Sequence, residues 1–163
     1  MGTRKIGSCE MKSLFDIGCR QELRGRVQRV GPDTPRLWGK MTAAQMICHL
    51  NDAFLGVMGE KPMEIPRGFT MWPVLKYAAL YAPAKWPQGV PTRPEFDQCS
   101  GAGTPPAQFE SDVRGLLETM DRFWRSPRDF QFRPHPLFKT MSEAQWMRWG
   151  YLHVDHHLRQ FGE

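Results

Sequence analysis

Three of the five histidines fall within five residues near the end of the chain, in Tyr151-Leu-His153-Val-Asp-His156-His157-Leu-Arg-Gln160-Phe161. Imidazole is well suited both to hold a transition metal and to move a proton near neutral pH, so chemistry is sought there first. His153 and His157 are four positions apart, and on a helix their rings leave one face a turn apart, close enough to share a divalent ion. His156 does not fully share that azimuth. A third ligand must come from another element.

The same face carries Trp146, Trp149 or Gly150, and Phe161, which places the pair in an apolar stripe. A buried imidazole needs partners for both ring nitrogens, and a metal supplies one while fixing the tautomer. The candidate third ligand is His49, one turn beyond Gln45 and beside Leu50 on another helix. Three neutral nitrogen ligands with an open position describe a catalytic site rather than a closed structural one. An ion held there acts as a Lewis acid. It lowers the pKa of a bound thiol, which gives an S-transferase, or of bound water, which gives a hydrolase. A third reading is a non-catalytic metal-binding module of stress response that recognises a small molecule or a partner.

Around these ligands, Asp52 lies three residues after His49 and can share its helical face, where it could orient an imidazole. Arg159 and Gln160 follow His157 and are candidates for substrate contact or for hydrogen bonds behind the ligands, although an arginine in a last turn also meets the helix dipole favourably. His135, between prolines in Arg133-Pro-His-Pro136, reads as a loop residue. Cys48 adjoins His49 but points about 100° away on a helix, and reads as core.

Four helical segments must position these groups. The first spans about 14 to 30, with Phe15, Cys19, Leu23, Val27 and Val30 on one side, Ser13 as N-cap, Asp16 near the positive end and Gly31-Pro32 as the stop. The second opens at Thr42, where Thr42-Ala-Ala-Gln45 reads as a capping box, and buries Ala43, Met46, Ile47, Leu50, Phe54 and Val57. The third follows Thr104-Pro105-Pro106, with proline in the first turn, and carries Phe109, Val113, Leu116, Leu117, Met120, Phe123 and Trp124. The fourth begins at a second box, Thr140-Met-Ser-Glu143, and runs to about Phe161.

Sustained alternation with β-branched residues is missing, so the expected class is all-α, an antiparallel helical bundle. Residues 61 to 106 hold nine of the fourteen prolines and interrupt this pattern. Within them Trp72 to Ala82 predicts a short helix ended by Pro83, in an insertion that either covers one end of the bundle or is a surface excursion packing its own aromatics.

Leu37-Trp-Gly-Lys-Met-Thr-Ala-Ala-Gln-Met-Ile-Cys-His49-Leu, paired with His153-Val-Asp-His-His157-Leu-Arg-Gln160 and preceded by Pro134-His-Pro136, resembles the DinB/YfiT-like superfamily of helical-bundle metalloproteins. It looks most like a bacterial subgroup whose function is uncharacterised. The resemblance covers roughly residues 11 to 163. It implies a four-helix bundle with a Pro-rich insertion between helices 2 and 3, and a divalent ion held at the bottom of a cleft by residues matching His49, His153 and His157. The ion is often zinc or nickel, with iron or manganese as further options, and the protein is often a homodimer. Some members transfer low-molecular-weight thiols to electrophiles, so a thiol S-transferase-like activity on a small electrophile is the leading expectation.

Size and charge narrow the alternatives. A chain of 163 residues with 40% hydrophobic and 24% charged residues suits one domain, here 11 to 163 after a loose tail of residues 1 to 10, and it needs no metal merely to fold. The net charge of +5 comes from scattered Lys and Arg without a basic block, which argues against a nucleic-acid partner. No apolar run suggests a membrane span, no secretory apolar core opens the chain, and Cys9, Cys19, Cys48 and Cys99 form no C-x-x-C pair; reduced thiols in a cytoplasmic protein are expected.

Overall fold

The structure is a computed structural model that describes residues 11–65 and 73–163. The expected tail at 1 to 10, and Trp72 at the expected start of the insertion helix, lie outside the described residues. The described residues form five α-helices: α1 (Ile17–Arg29), α2 (Ala43–Met58), α3 (Pro73–Tyr81), α4 (Phe109–Trp124) and α5 (Glu143–Arg159), with a 3-10 turn at Pro94–Phe96 before α4. No strand forms among the described residues, only an isolated antiparallel bridge between His135 and Lys139. The all-α expectation therefore holds, and none of these helices is long and apolar enough to cross a membrane.

Local chemistry sets the helix ends. At α2 the Thr42 hydroxyl accepts from the Gln45 N–H at 3.2 Å while Thr42 N–H donates to Gln45 Oε1 at 2.9 Å, the reciprocal box that the sequence predicts. Three other ends differ from expectation. Asp16, not Ser13, caps α1, accepting from Cys19 N–H at 2.9 Å, because a carboxylate at that position reaches an unpaired helix N–H directly. Phe15 then precedes the helix and is 52% exposed, while Leu14 turns inward and is fully buried. At α5 two overlapping boxes compete, and the one formed is Ser142 with Gln145; Glu143 pairs instead with Arg128 at 2.7 Å. Finally, Pro105 and Pro106 precede α4 rather than opening it, and Gln108 is its N-cap.

One buried apolar cluster takes side chains from all five helices, including Leu23, Phe54, Leu80, Phe123 and Trp146. Phe109 and Val113 only pack against its edge. Two helical glycine positions set close approaches. A methyl at Gly150 would meet Leu14 at 2.6 Å, and one at Gly56 would meet the Phe96 ring at 2.5 Å. The second approach seats the 3-10 turn on α2, which matters for His49.

Candidate metal centre

The inward face of α2 brings His49 against α5, where His153 and His157 stand one turn apart. The three imidazoles each offer a ligand nitrogen, and these atoms all lie within 4.8 Å of one another. His49 and His157 are buried, and His153 is half-buried. The ring centroids of His49 lie 5.5 Å from His153 and 4.5 Å from His157. The three ligands expected from the sequence therefore converge.

Two of the rings are held in one tautomer by acceptors that can only accept. His49 Nδ1–H donates to the Phe96 carbonyl at 2.8 Å, and His157 Nδ1–H donates to Gln160 Oε1 at 2.7 Å. With the proton on Nδ1, the Nε2 lone pair of each ring is free for a metal. His157 Nε2 faces His153 Nε2 at 3.2 Å, and His153 Nδ1 is buried with no hydrogen-bond partner. Burial is the first cause that drives the pKa of His49 below its ordinary value and those of His153 and His157 well below it; mutual repulsion among the rings adds to the effect on the latter two. Neutral imidazoles are the protonation state that a metal needs.

The groups proposed to support these ligands divide. Gln160 does so directly, through His157. Asp52 does not touch His49: its buried carboxylate accepts from Gln98 Nε2 at 2.9 Å, Thr104 N–H at 2.8 Å and Thr104 Oγ1 at 2.7 Å, and pairs with Lys61 at 2.9 Å. It ties α2 to the connection that carries Gln98 and Thr104, and acts on His49 only through its charge, which opposes part of the burial effect. Arg159 turns to Asp155 at 2.9 Å, and Asp155 also holds Arg26 at 2.8 Å, so this pair fastens α5 to α1.

The three imidazoles open into a cavity of about 580 Å³. One wall is the insertion, with Leu75, Ala78 and Ala79 of α3 and Trp86 after it, so this segment covers the site rather than packing only against itself. The opposing residues include Phe138 and Trp149. Two further histidines line the cavity that helical spacing alone does not place there: His156, whose ring meets Trp38 edge-on at 5.0 Å, and His135. His135 does lie in a loop, as expected, but is buried there. Its flanking prolines were the available signal, since they fix the backbone of a loop residue that then packs inward. Cys48 is core as expected, and burial pushes its thiol up to about 12, which makes it a poor nucleophile.

Helices and site together define an all-helical protein with a buried three-histidine group able to bind a metal ion, set at the edge of an apolar cavity. Residues 21–163 match the family described as "Protein of unknown function (DUF1569)", and the chain belongs to that family. No curated protein and no solved structure matches it.

Proposed function

We propose that this chain is a divalent-metal-dependent enzyme of the DinB/YfiT-like kind, with a thiol S-transferase-like activity on a small electrophile. In this reading α1, α2, α4 and α5 form an antiparallel four-helix bundle, and α3 belongs to the insertion. The carrying observation is the pair of Nδ1–H donations, from His49 to Phe96 and from His157 to Gln160, which turn two Nε2 lone pairs toward His153 beside a ligand-sized cavity. Three imidazoles suit zinc or nickel, and iron less specifically.

When bound, the ion supplies Lewis acidity that favours the deprotonated form of a thiol or of water. The surroundings of the rings support the thiol reading. Trp149 and Trp86, whose rings lie 4.8 Å and 6.2 Å from that of His153, put apolar surface beside the imidazoles, which suits sulfur, the softer and less strongly hydrated nucleophile. Phe96 and Gln160 hold two of the rings, and α3 lines one wall of the cavity beside them. In the transfer, sulfur forms a bond to the electrophilic carbon as that carbon's bond to its leaving group breaks; the leaving group departs with the electron pair, and the thiol proton passes to it or to solvent.

Untagged protein analysed for metal and then incubated with a panel of low-molecular-weight thiols and electrophiles tests this. The expected result is near-stoichiometric metal and an enzyme-dependent adduct, seen by mass spectrometry and lost in His153→Ala. A metal-free wild type, or a metal-replete protein that forms no adduct with any pair, overturns the enzyme reading.

A further inference from the structure

The mechanism above leaves His135 unused, yet this ring lines the cavity and is held there by two backbone N–H groups. Its Nδ1 accepts from the backbone N–H of Leu137 at 3.1 Å and of Phe138 at 3.2 Å. A ring nitrogen that accepts carries no proton, so the proton of this neutral imidazole sits on Nε2. Burial, with the charge of Arg93 acting in the same direction, pushes the His135 pKa down to about 3, so the ring stays neutral at physiological pH. Paired backbone bonds to Lys139, both 2.8 Å, and stacking on Phe138 at 4.5 Å fix its orientation. Its Nε2–H has no protein acceptor among the described residues.

Arg93 lines the same cavity. Its Nε donates to Glu95 at 2.8 Å and its Nη2 to the Glu64 carbonyl at 2.9 Å, and among the described residues Nη1 has no acceptor. Lys85 adds a second positive charge to the lining, and no carboxylate residue contributes to it. The remaining surface is mostly apolar, and the volume lies in the range of small-molecule sites. The Trp149 ring is a neighbour of both this pole and the imidazole cluster, 5.7 Å from His135 and 4.8 Å from His153.

We propose that His135 and Arg93 form a hydrogen-bond-donor pole that binds the carboxylate of an apolar monocarboxylic acid, with the acid's body running along the apolar walls toward the three imidazoles. This deepens the proposed function by naming a substrate class, and rests on it only for what happens at the far end of the molecule. The two donors are fixed before the ligand arrives, so little ordering cost opposes binding. A charged acceptor gains more from them than a neutral one.

The test compares octanoate with octanol, and benzoate with benzyl alcohol, by calorimetry at neutral pH on the full chain, both stripped of metal and metal-loaded. His135→Asn keeps an oxygen where Nδ1 caps Leu137 and Phe138 but removes the Nε2–H donor; Arg93→Gln removes the charge. Each acid is expected to bind stripped wild-type protein at least about tenfold more tightly than its alcohol, and each variant to lose about that factor for the acid but not the alcohol. Equal affinity for acid and alcohol overturns the proposal. So does acid binding that ignores both variants, or that requires metal and vanishes in His153→Ala, which makes the ion the anion site. If His135→Asn fails to fold, Arg93→Gln and the acid–alcohol comparison still decide. Measurements on stripped protein separate failure here from failure of the metal reading.

Discussion

The Nε2 atoms of His153 and His157 lie 3.2 Å apart, although the proton of His157 is held on its other nitrogen by Gln160. Two nitrogens bound at about 2.0–2.1 Å to one tetrahedral zinc ion stand roughly 3.4 Å apart, so this pair already has the spacing of two sites of one coordination sphere. His49 closes the set from α2, which makes the site dependent on α2 and α5 staying packed.

Loss of a ligand should therefore remove the metal and the stability that it adds. With free metal at about a hundred times its dissociation constant, linkage gives about 2.7 kcal/mol. A chelator should lower the melting temperature of wild-type protein, while His49→Ala and His153→Ala should contain little metal and show no response to added zinc or nickel. Equal zinc-induced stabilisation of wild type and both variants would refute a shared site.

Gln160 accepts from His157 Nδ1–H and is not among the residues that line the cavity, so in the proposed reading it is a positioning residue. Gln160→Ala should weaken metal affinity by about tenfold to a hundredfold, the usual effect of losing the group that orients a ligand imidazole. Gln160→Glu, which keeps the acceptor, should restore most of it. Competitive titration with a metallochromic chelator reads both.

Acid should destabilise the metal-free protein in a definite window. Burial lowers the pKa of His49, takes His153 and His157 well below the ordinary value of 6.5, and brings His135 to about 3 and His156 to about 4. Unfolding returns these groups toward 6.5, so between the depressed values and 6.5 the unfolded chain binds more protons than the folded one. Their contribution is thus fully present above about pH 6.5 and is lost as pH falls toward 4 and 3. Each histidine that stays neutral in the fold contributes a slope of about 1.4 kcal/mol per pH unit inside its window. Urea unfolding at several pH values between 7.5 and 5 should show stability falling with acid, and a flat profile would contradict the burial of these rings.

The three clustered imidazoles and the helices that hold them were legible because both rest on short-range rules: an i, i+4 pair on an apolar stripe, and a reciprocal cap at Thr42. What could not be read came from competition or from long-range packing. Thr140-Glu143 and Ser142-Gln145 satisfy the same local pattern, and Arg128, distant in sequence, engages Glu143 in the alternative that forms. Asp52 shares a helix with His49, but Gln98 and Thr104, about fifty residues away, provide the hydrogen bonds that engage it. His135 gave no periodic signal, since its burial depends on the loop folding against Phe138 and Trp149.

Asp52 consequently predicts a stability defect rather than a metal defect. Asp52→Ala removes the counter-charge of Lys61, which keeps only the Thr104 hydroxyl, and leaves the Thr104 N–H and Gln98 Nε2 without their acceptor; it should cost about 3 kcal/mol, as expected for breaking a buried ion pair from one side. Metal stoichiometry in the surviving folded fraction should stay near that of wild type. Chemical denaturation together with elemental analysis separates the two effects.

Gly56 supplies a longer-range link to the site. Replacing a helical glycine with alanine ordinarily gains about 1 kcal/mol, but a methyl here would meet the Phe96 ring at 2.5 Å and 2.9 Å. Overpacking of a tight contact costs about 1–3 kcal/mol, so the net effect of Gly56→Ala should be destabilising. Phe96 must move to relieve the clash, and its carbonyl is the acceptor that fixes the His49 tautomer, so metal affinity should fall with stability. Gly115 on α4 is the control, since a methyl there meets nothing within 4 Å and Gly115→Ala should stabilise the protein without changing metal affinity. Melting curves and metal titrations of the two variants side by side test the coupling; identical metal affinity in both would show that the Phe96 carbonyl does not govern His49.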